Sequence, residues 1–168
     1  MMNKKEFEYP VFFRLLYRYG NIPVTFFLGV YLALSVINLD YNLLYLLPVV
    51  GILILIYLIN KRYLYLYKIV PYKIYADDEK ITCTNFFLSS REVTIHYKDI
   101  TQLSGGIFSG RLRGLMKVED SSKVIIGFFD KIKGIHDLQT IILSKVKIEV
   151  YNKVVESVGL RKKEDNKT

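Results

Sequence analysis

Charge is missing from the two longest apolar stretches of this chain. From Tyr19 to Leu39 and from Tyr41 to Asn60 there is no Lys, Arg, Glu, Asp or His, and Asp40 sits alone in the gap. Each run is about twenty residues, enough for a helix to cross a hydrocarbon core roughly 30 Å thick. A water-soluble domain has little reason to keep both runs uncharged. The same absence excludes an ion pump or proton relay, which needs acids, bases or histidines inside the bilayer.

Other absences narrow the chemistry. Cys83 is the only cysteine, so no intrachain disulfide forms, and a lone thiol amid strand-like sequence reads as a small filler. His96 and His136 are the only histidines and the acids are not clustered, so neither a metal nor another cofactor is expected. Ser104 and Ser109 precede glycines without the strand–turn–helix context of a nucleophile elbow. The glycine-rich stretch Gly105 to Gly114 lacks the G-K-[ST] ending of a nucleotide-binding loop. An enzyme is not expected. No A-x-A-type site follows the first apolar run, and its leader carries Glu6, Glu8, Arg14 and Arg18, so the run is read as retained.

What is present is positive charge in particular places. The 168 residues carry a net charge of +8, with a pI near 9.4. Lys4, Lys5, Arg14 and Arg18 precede the first run, and Lys61 and Arg62 follow the second. The loop between them, residues 38–42, has neither Lys nor Arg. The positive-inside bias then places both termini in the cytoplasm and the short loop outside. Arg14, Arg18, Lys61 and Arg62 become membrane-interface cations, each worth on the order of 1 kcal/mol beside anionic headgroups. With the excess charge so placed, no nucleic-acid partner is expected.

The order of periodicities divides the chain into a cytoplasmic or interfacial leader (1–20), a transmembrane helical hairpin (21–67), a β-rich domain ending in a helix (71–157) and a charged tail (158–168). The segment YPVFFRLLYRY, residues 9–19, fits a short helix at the headgroup boundary with snorkelling arginines. It fits equally the first cytosolic turn of the membrane helix, with a bend at Gly20–Pro23 between the two. Thr25, Gly29 and Ala33 recur every four residues, and Gly51 in the second run offers a facing groove. Small side chains on one stripe allow close helix packing, within the hairpin or against another copy. Tyr41, Tyr57, Tyr63, Tyr65 and Tyr67 read as interface anchors. After Pro71 the period becomes two: 72–75, 80–87, 92–97, 100–103, 115–118 and 124–129 read as strands joined by polar turns. Helical spacing returns with Ile135, Leu138, Ile141, Ile142 and Val146, continuing toward Val154.

Three stretches, YKIYADDEKITCTNFF, REVTIHYKDITQLSGGIFSGRLRG and GLMKVEDSSKVIIGFFD, followed by that helix, resemble the bacterial pleckstrin-homology-like domain family. Members often show a Tyr-x-Ile/Leu-Thr opening and a v-x-I-x-Y-x-D/R-I segment before a Gly/Arg-rich loop. The match covers roughly residues 71–157, and Ala76-Asp77 stands where the usual Thr would be. The resemblance implies an α+β fold: an antiparallel β-barrel or sandwich, with Ile135, Leu138 and Ile142 of one C-terminal helix plugging its end. A membrane hairpin just before the domain is a common family arrangement, which implies a multi-pass protein of the bacterial cytoplasmic membrane.

One cationic group stands out. Arg111 and Arg113 alternate, so in a strand they share a face, and Lys117 follows them. Guanidiniums on glycine-bounded backbone suit phosphate or carboxylate, and the alternative is a solvated basic loop. Two functions follow as expectations. The first is a membrane-anchored, non-catalytic scaffold that contacts a membrane-protein partner or its own copies. The second is an anionic-lipid-headgroup sensor using Arg111, Arg113 and Lys117.

Overall fold

The structure, a computed structural model, describes residues 4–40, 42–111 and 113–165. Tyr41, one of the expected anchors, and the last three residues of the expected tail lie outside them. The fold is α+β, with N-terminal helices, two antiparallel sheets and C-terminal helices. The chain divides into two compact units, Leu15–Lys68 and one formed by the segments on either side of it. The helical unit is therefore an insertion.

The α+β unit is built on strands β1 (Lys5–Glu8), β2 (Lys73–Ala76), β3 (Lys80–Thr84) and β4 (Val93–His96), hydrogen-bonded in that order. A second sheet joins β5 (Ile100–Ser104), β6 (Leu115–Asp120) and β7 (Ile125–Phe129). Among the described residues no barrel closes. The strands lie in two separate antiparallel sheets linked through the short 3-10 turn Tyr97–Asp99, so of the expected barrel or sandwich the structure shows two sheets and no closed barrel. Alternation explains the layering: Ile74, Ile81, Ile95, Ile100 and Val118 are each at most 1% exposed. Full burial of such a side chain contributes about 1.5–3 kcal/mol.

The strand β1 had no counterpart in the sequence reading, which treated residues 1–20 as a leader. It pairs antiparallel with β2, with Phe7 opposite Ile74 and Glu8 opposite Lys73. Phe7 and Tyr9 are almost fully buried, the Tyr9 hydroxyl accepts the Phe129 N–H at 2.7 Å, and Lys133 N–H donates to the Glu8 carbonyl at 2.9 Å. Lys73 bridges to Glu6 at 2.8 Å. The leader is thus part of the fold, and the chain departs for the helical insertion from the end of β1.

Helix α1 (Val11–Tyr19) and helix α2 (Asn21–Ile37) meet at a 42° bend at Gly20, where the sequence placed one. A Cβ at Gly20 would stand 2.5 Å from both the Leu16 carbonyl and the Tyr63 hydroxyl, so only glycine fits there. Helix α3 (Leu46–Ile69) carries Pro48 in its first turn, where its missing N–H costs nothing. It ends just before Val70 and Pro71, as the helix-disfavouring effect of proline on its predecessor requires.

At the C-terminus the expected single helix is two: α4 (Ile135–Lys145) and α5 (Ile148–Asp165). Val146 is extended, with φ −76° and ψ 162°, and breaks the run. The break lets the two helices serve different surfaces. Helix α4 buries Leu138 and Ile142, with Ile135 half-buried, while α5 buries Val150 and Val154. Helix α5 reaches the glycine-rich loop, where a Cβ at Gly110 would come within 3.3 Å of Val158 and Arg161. It continues to Asp165, past the point at which the sequence began the tail.

Candidate functional site

In the helical unit many large apolar side chains are exposed. The segment Leu43–Ile69, 27 residues, is long and apolar enough to cross a membrane, and none of its most apolar window is buried. Phe26 is 67% and Leu47 74% exposed. Glycines in the expected packing stripe meet open space: a Cβ at Gly29 or Gly51 would have no neighbour within 4 Å. Ala33 is exposed too. Of that group, Thr25 makes a contact across the hairpin.

That contact belongs to a polar cluster which sequence reasoning missed. Asn60 donates to the Thr25 hydroxyl at 3.0 Å, and the Asn21 amide donates to the Asn60 side-chain oxygen at 2.9 Å. Tyr67 donates to the Asn21 side chain at 2.8 Å and the Arg18 carbonyl at 2.9 Å. Tyr63 reaches the Leu16 carbonyl at 3.4 Å. The available signal was the placement of Asn21 and Asn60 at the charged ends of two apolar runs. In a low-dielectric setting such bonds fix one helix against another because no water competes for them. Lys61 and Arg62 are exposed on α3, Lys61 with its ammonium 5.4 Å from the Tyr57 ring centre.

The expected cationic trio is dispersed. Arg111 and Arg113 precede β6 rather than lying in a strand, and Leu112 between them lies outside the described residues. The Arg111 N–H closes the loop on the Gly106 carbonyl at 2.9 Å, and its side chain is exposed. Arg113 lines a cavity of about 190 Å³ together with Gly106, Met116, Asp130, His136 and Gln139. Lys117 alternates with the buried Met116 and Val118, so it is on the other face of β6 from the Met116 that lines this cavity. The positive φ values of Gly105 (74°), Gly106 (47°) and Gly110 (68°) explain why the loop needs glycine. His136 and Gln139 were not foreseen as Arg113's neighbours. Gln139 is 7% exposed and its amide N–H donates to the Met116 sulfur at 3.1 Å.

A second polar knot closes the far end of the first sheet. The Asp77 carboxylate accepts the N–H groups of Glu79 at 2.9 Å and Lys80 at 2.8 Å. Lys145 donates to the Asp77 carbonyl at 3.1 Å and to Asp78 at 2.8 Å, fastening α4 to this turn. Burial alone would raise the Asp77 carboxyl, but the two N–H donors with Lys80 and Lys145 outweigh it and hold it below the ordinary range. Nearby, burial pushes up both the Cys83 thiol and the Tyr97 phenol, so neither is an activated group. Among the described residues no group of three His, Cys, Asp or Glu is placed to hold a metal ion. Comparison with family models, curated proteins and solved structures gave no match to this chain.

Proposed function

We propose that this protein is a membrane-anchored, non-catalytic module whose helical insertion crosses the bacterial cytoplasmic membrane twice. Its pleckstrin-homology-like α+β unit then serves in the cytoplasm as a scaffold for protein contacts. The observation that carries the anchor is the exposed, uncharged run within Leu43–Ile69, together with the bent α1–α2 pair. Lys and Arg at the flanks of both runs, and their absence from the connecting loop, support cytoplasmic termini. Two antiparallel sheets followed by C-terminal helices support the pleckstrin-like reading of the folded unit.

Assembly is supported by Gly29 and Gly51, whose small size serves no contact among the described residues. Small residues on a membrane helix permit close approach by a neighbouring one. Cysteine crosslinking in native membranes tests this: residue 29 of one copy should link to another copy or to a distinct partner. A chain that stays monomeric and partnerless under crosslinking and on native gels would remove the scaffold role.

Anionic-headgroup recognition is the second reading, and the cavity beneath Arg113 favours it. It would use Arg113 with His136 and Gln139, whereas Arg111 and Lys117 serve only as general positive charge. Arg113→Ala should weaken retention of short-chain phosphatidylglycerol several-fold while Lys117→Ala changes it little; equal effects would argue for non-specific charge.

A further inference from the structure

The cavity under Arg113 holds more than positive charge, and its other polar groups select a particular kind of headgroup. Arg113 is exposed, and among the described residues its side chain makes neither a hydrogen bond nor an ion pair. Ile135 and His136, the first two residues of α4, line the same space. That helix starts after Gly134 without a side-chain cap, and the first N–H groups of a helix have no partner within it. A guanidinium beside uncapped helix N–H groups suits a phosphate. Asp137, also in the first turn, is taken up by Lys5.

Two further groups accept rather than donate. Gln139 is 7% exposed, and its amide N–H goes to the Met116 sulfur at 3.1 Å, a weak acceptor. Among the described residues no donor reaches its amide oxygen, which is open to the cavity rather than sealed in. Asp130, its side chain 21% exposed, brings a carboxylate that alone would repel a phosphate, but Lys131 lies 3.3 Å from it and offsets that charge. A ligand ammonium would have to displace Lys131. A neutral hydroxyl can donate to the carboxylate without disturbing the pair, since a carboxylate accepts several hydrogen bonds. On the loop side Gly114 leaves the space clear, for a Cβ there would meet nothing within 4 Å.

We propose that the cavity takes a phosphate ester of a polyol, its phosphate on Arg113 and the α4 N-terminus and its hydroxyls on Gln139 and Asp130. The proposal rests on the headgroup reading of this cavity and narrows it to a glycerol phosphate, carried on phosphatidylglycerol or free in solution. At about 190 Å³ the space is below the roughly 300–1,000 Å³ of sites for drug-sized ligands, so it holds a headgroup and leaves acyl chains outside.

The test uses the full chain in non-ionic detergent with two short-chain lipids of equal charge. Phosphatidylglycerol carries two free hydroxyls; phosphatidylmethanol keeps the phosphodiester and has none. Phosphatidylglycerol should bind about tenfold more tightly, the effect of one or two hydrogen bonds. Arg113→Ala should weaken both lipids alike. Gln139→Met, close in volume, and Asp130→Ala should each bring the ratio of the two affinities toward one, and taking the ratio cancels the charge that Asp130→Ala removes. Equal binding of the two lipids in the unaltered protein, with both weakened by Arg113→Ala, overturns the inference and leaves the headgroup reading standing. Tighter binding of phosphatidylethanolamine than of phosphatidylglycerol also overturns it, because an ammonium would then occupy Asp130. Lipid binding that Arg113→Ala does not weaken removes the headgroup reading itself. Glycerol 3-phosphate separates the two sources: competition with the lipid that Gln139→Met abolishes marks a free polyol phosphate, and discrimination between the lipids without such competition marks the lipid headgroup. Failure of both overturns the inference.

Discussion

The two units use the same kinds of side chain in opposite ways. In the α+β unit Ile81 and Ile95 are at most 1% exposed. In Leu15–Lys68, Leu47 and Phe26 are mostly exposed, and hydrogen bonds join the helices at Asn21, Thr25, Asn60 and Tyr67. The first unit is arranged to exclude water from its interior. The second leaves a broad apolar surface exposed, and that exposure supports the proposed membrane insertion.

Truncation should separate the units most strongly. Ile81→Ala removes a side chain packed at the centre of the first sheet and is expected to destabilise the α+β unit by about 2–5 kcal/mol. Leu47→Ala should leave that unit's denaturant midpoint unchanged. Equal effects would mean that the units are not distinct. Charge acts in the opposite sense: Leu53→Lys near the centre of the apolar run should cost about 2.5–3.5 kcal/mol of insertion. A glycosylation or fractionation assay of inserted chains reads this directly. Were α3 simply exposed to water, Leu53→Lys would be nearly silent.

Alkaline pH probes the dry interior. Burial raises the folded-state pKa of the Cys83 thiol, so the unfolded chain loses this proton first. The stabilisation is fully present below the ordinary thiol range near 8.5 and is lost as pH rises above it, at about 1.4 kcal/mol per pH unit. Cys83→Ala should flatten that part of the unfolding-versus-pH curve. An unchanged slope would show the thiol to be solvated. Asn60→Ala, the smallest effect, should weaken the hairpin by about 0.6–1.7 kcal/mol, seen as faster proteolysis between the helices. No change would mean that the polar cluster is incidental.

How far the sequence could be read depended on whether a signal was local. Strands β2 to β7 were legible because one-sided burial writes a period of two into Ile74/Ala76 and Met116/Val118. The apolar runs were legible because a water-soluble fold rarely keeps twenty consecutive residues free of charge. Strand β1 was not, since Lys5–Glu8 has one buried residue, Phe7, and its partner lies across the whole insertion. The break at Val146 was hidden because the apolar spacing runs smoothly through it. The resemblance implied a barrel or sandwich without choosing between them, and nothing in the alternation itself says whether β4 pairs onward. At the glycine loop the charges were visible, but the turns at positive φ of Gly105, Gly106 and Gly110 that lead into Arg111 were not. Asn21 and Asn60 find each other only once the helices are side by side.

Protease protection across the membrane tests the account most directly. In spheroplasts whose outer surface alone is open to protease, the α+β unit should survive intact, and in inverted vesicles it should be digested while the hairpin remains after carbonate washing. Digestion of that unit from outside, or release of the whole protein by carbonate, would contradict a hairpin inserted into a cytoplasmic fold.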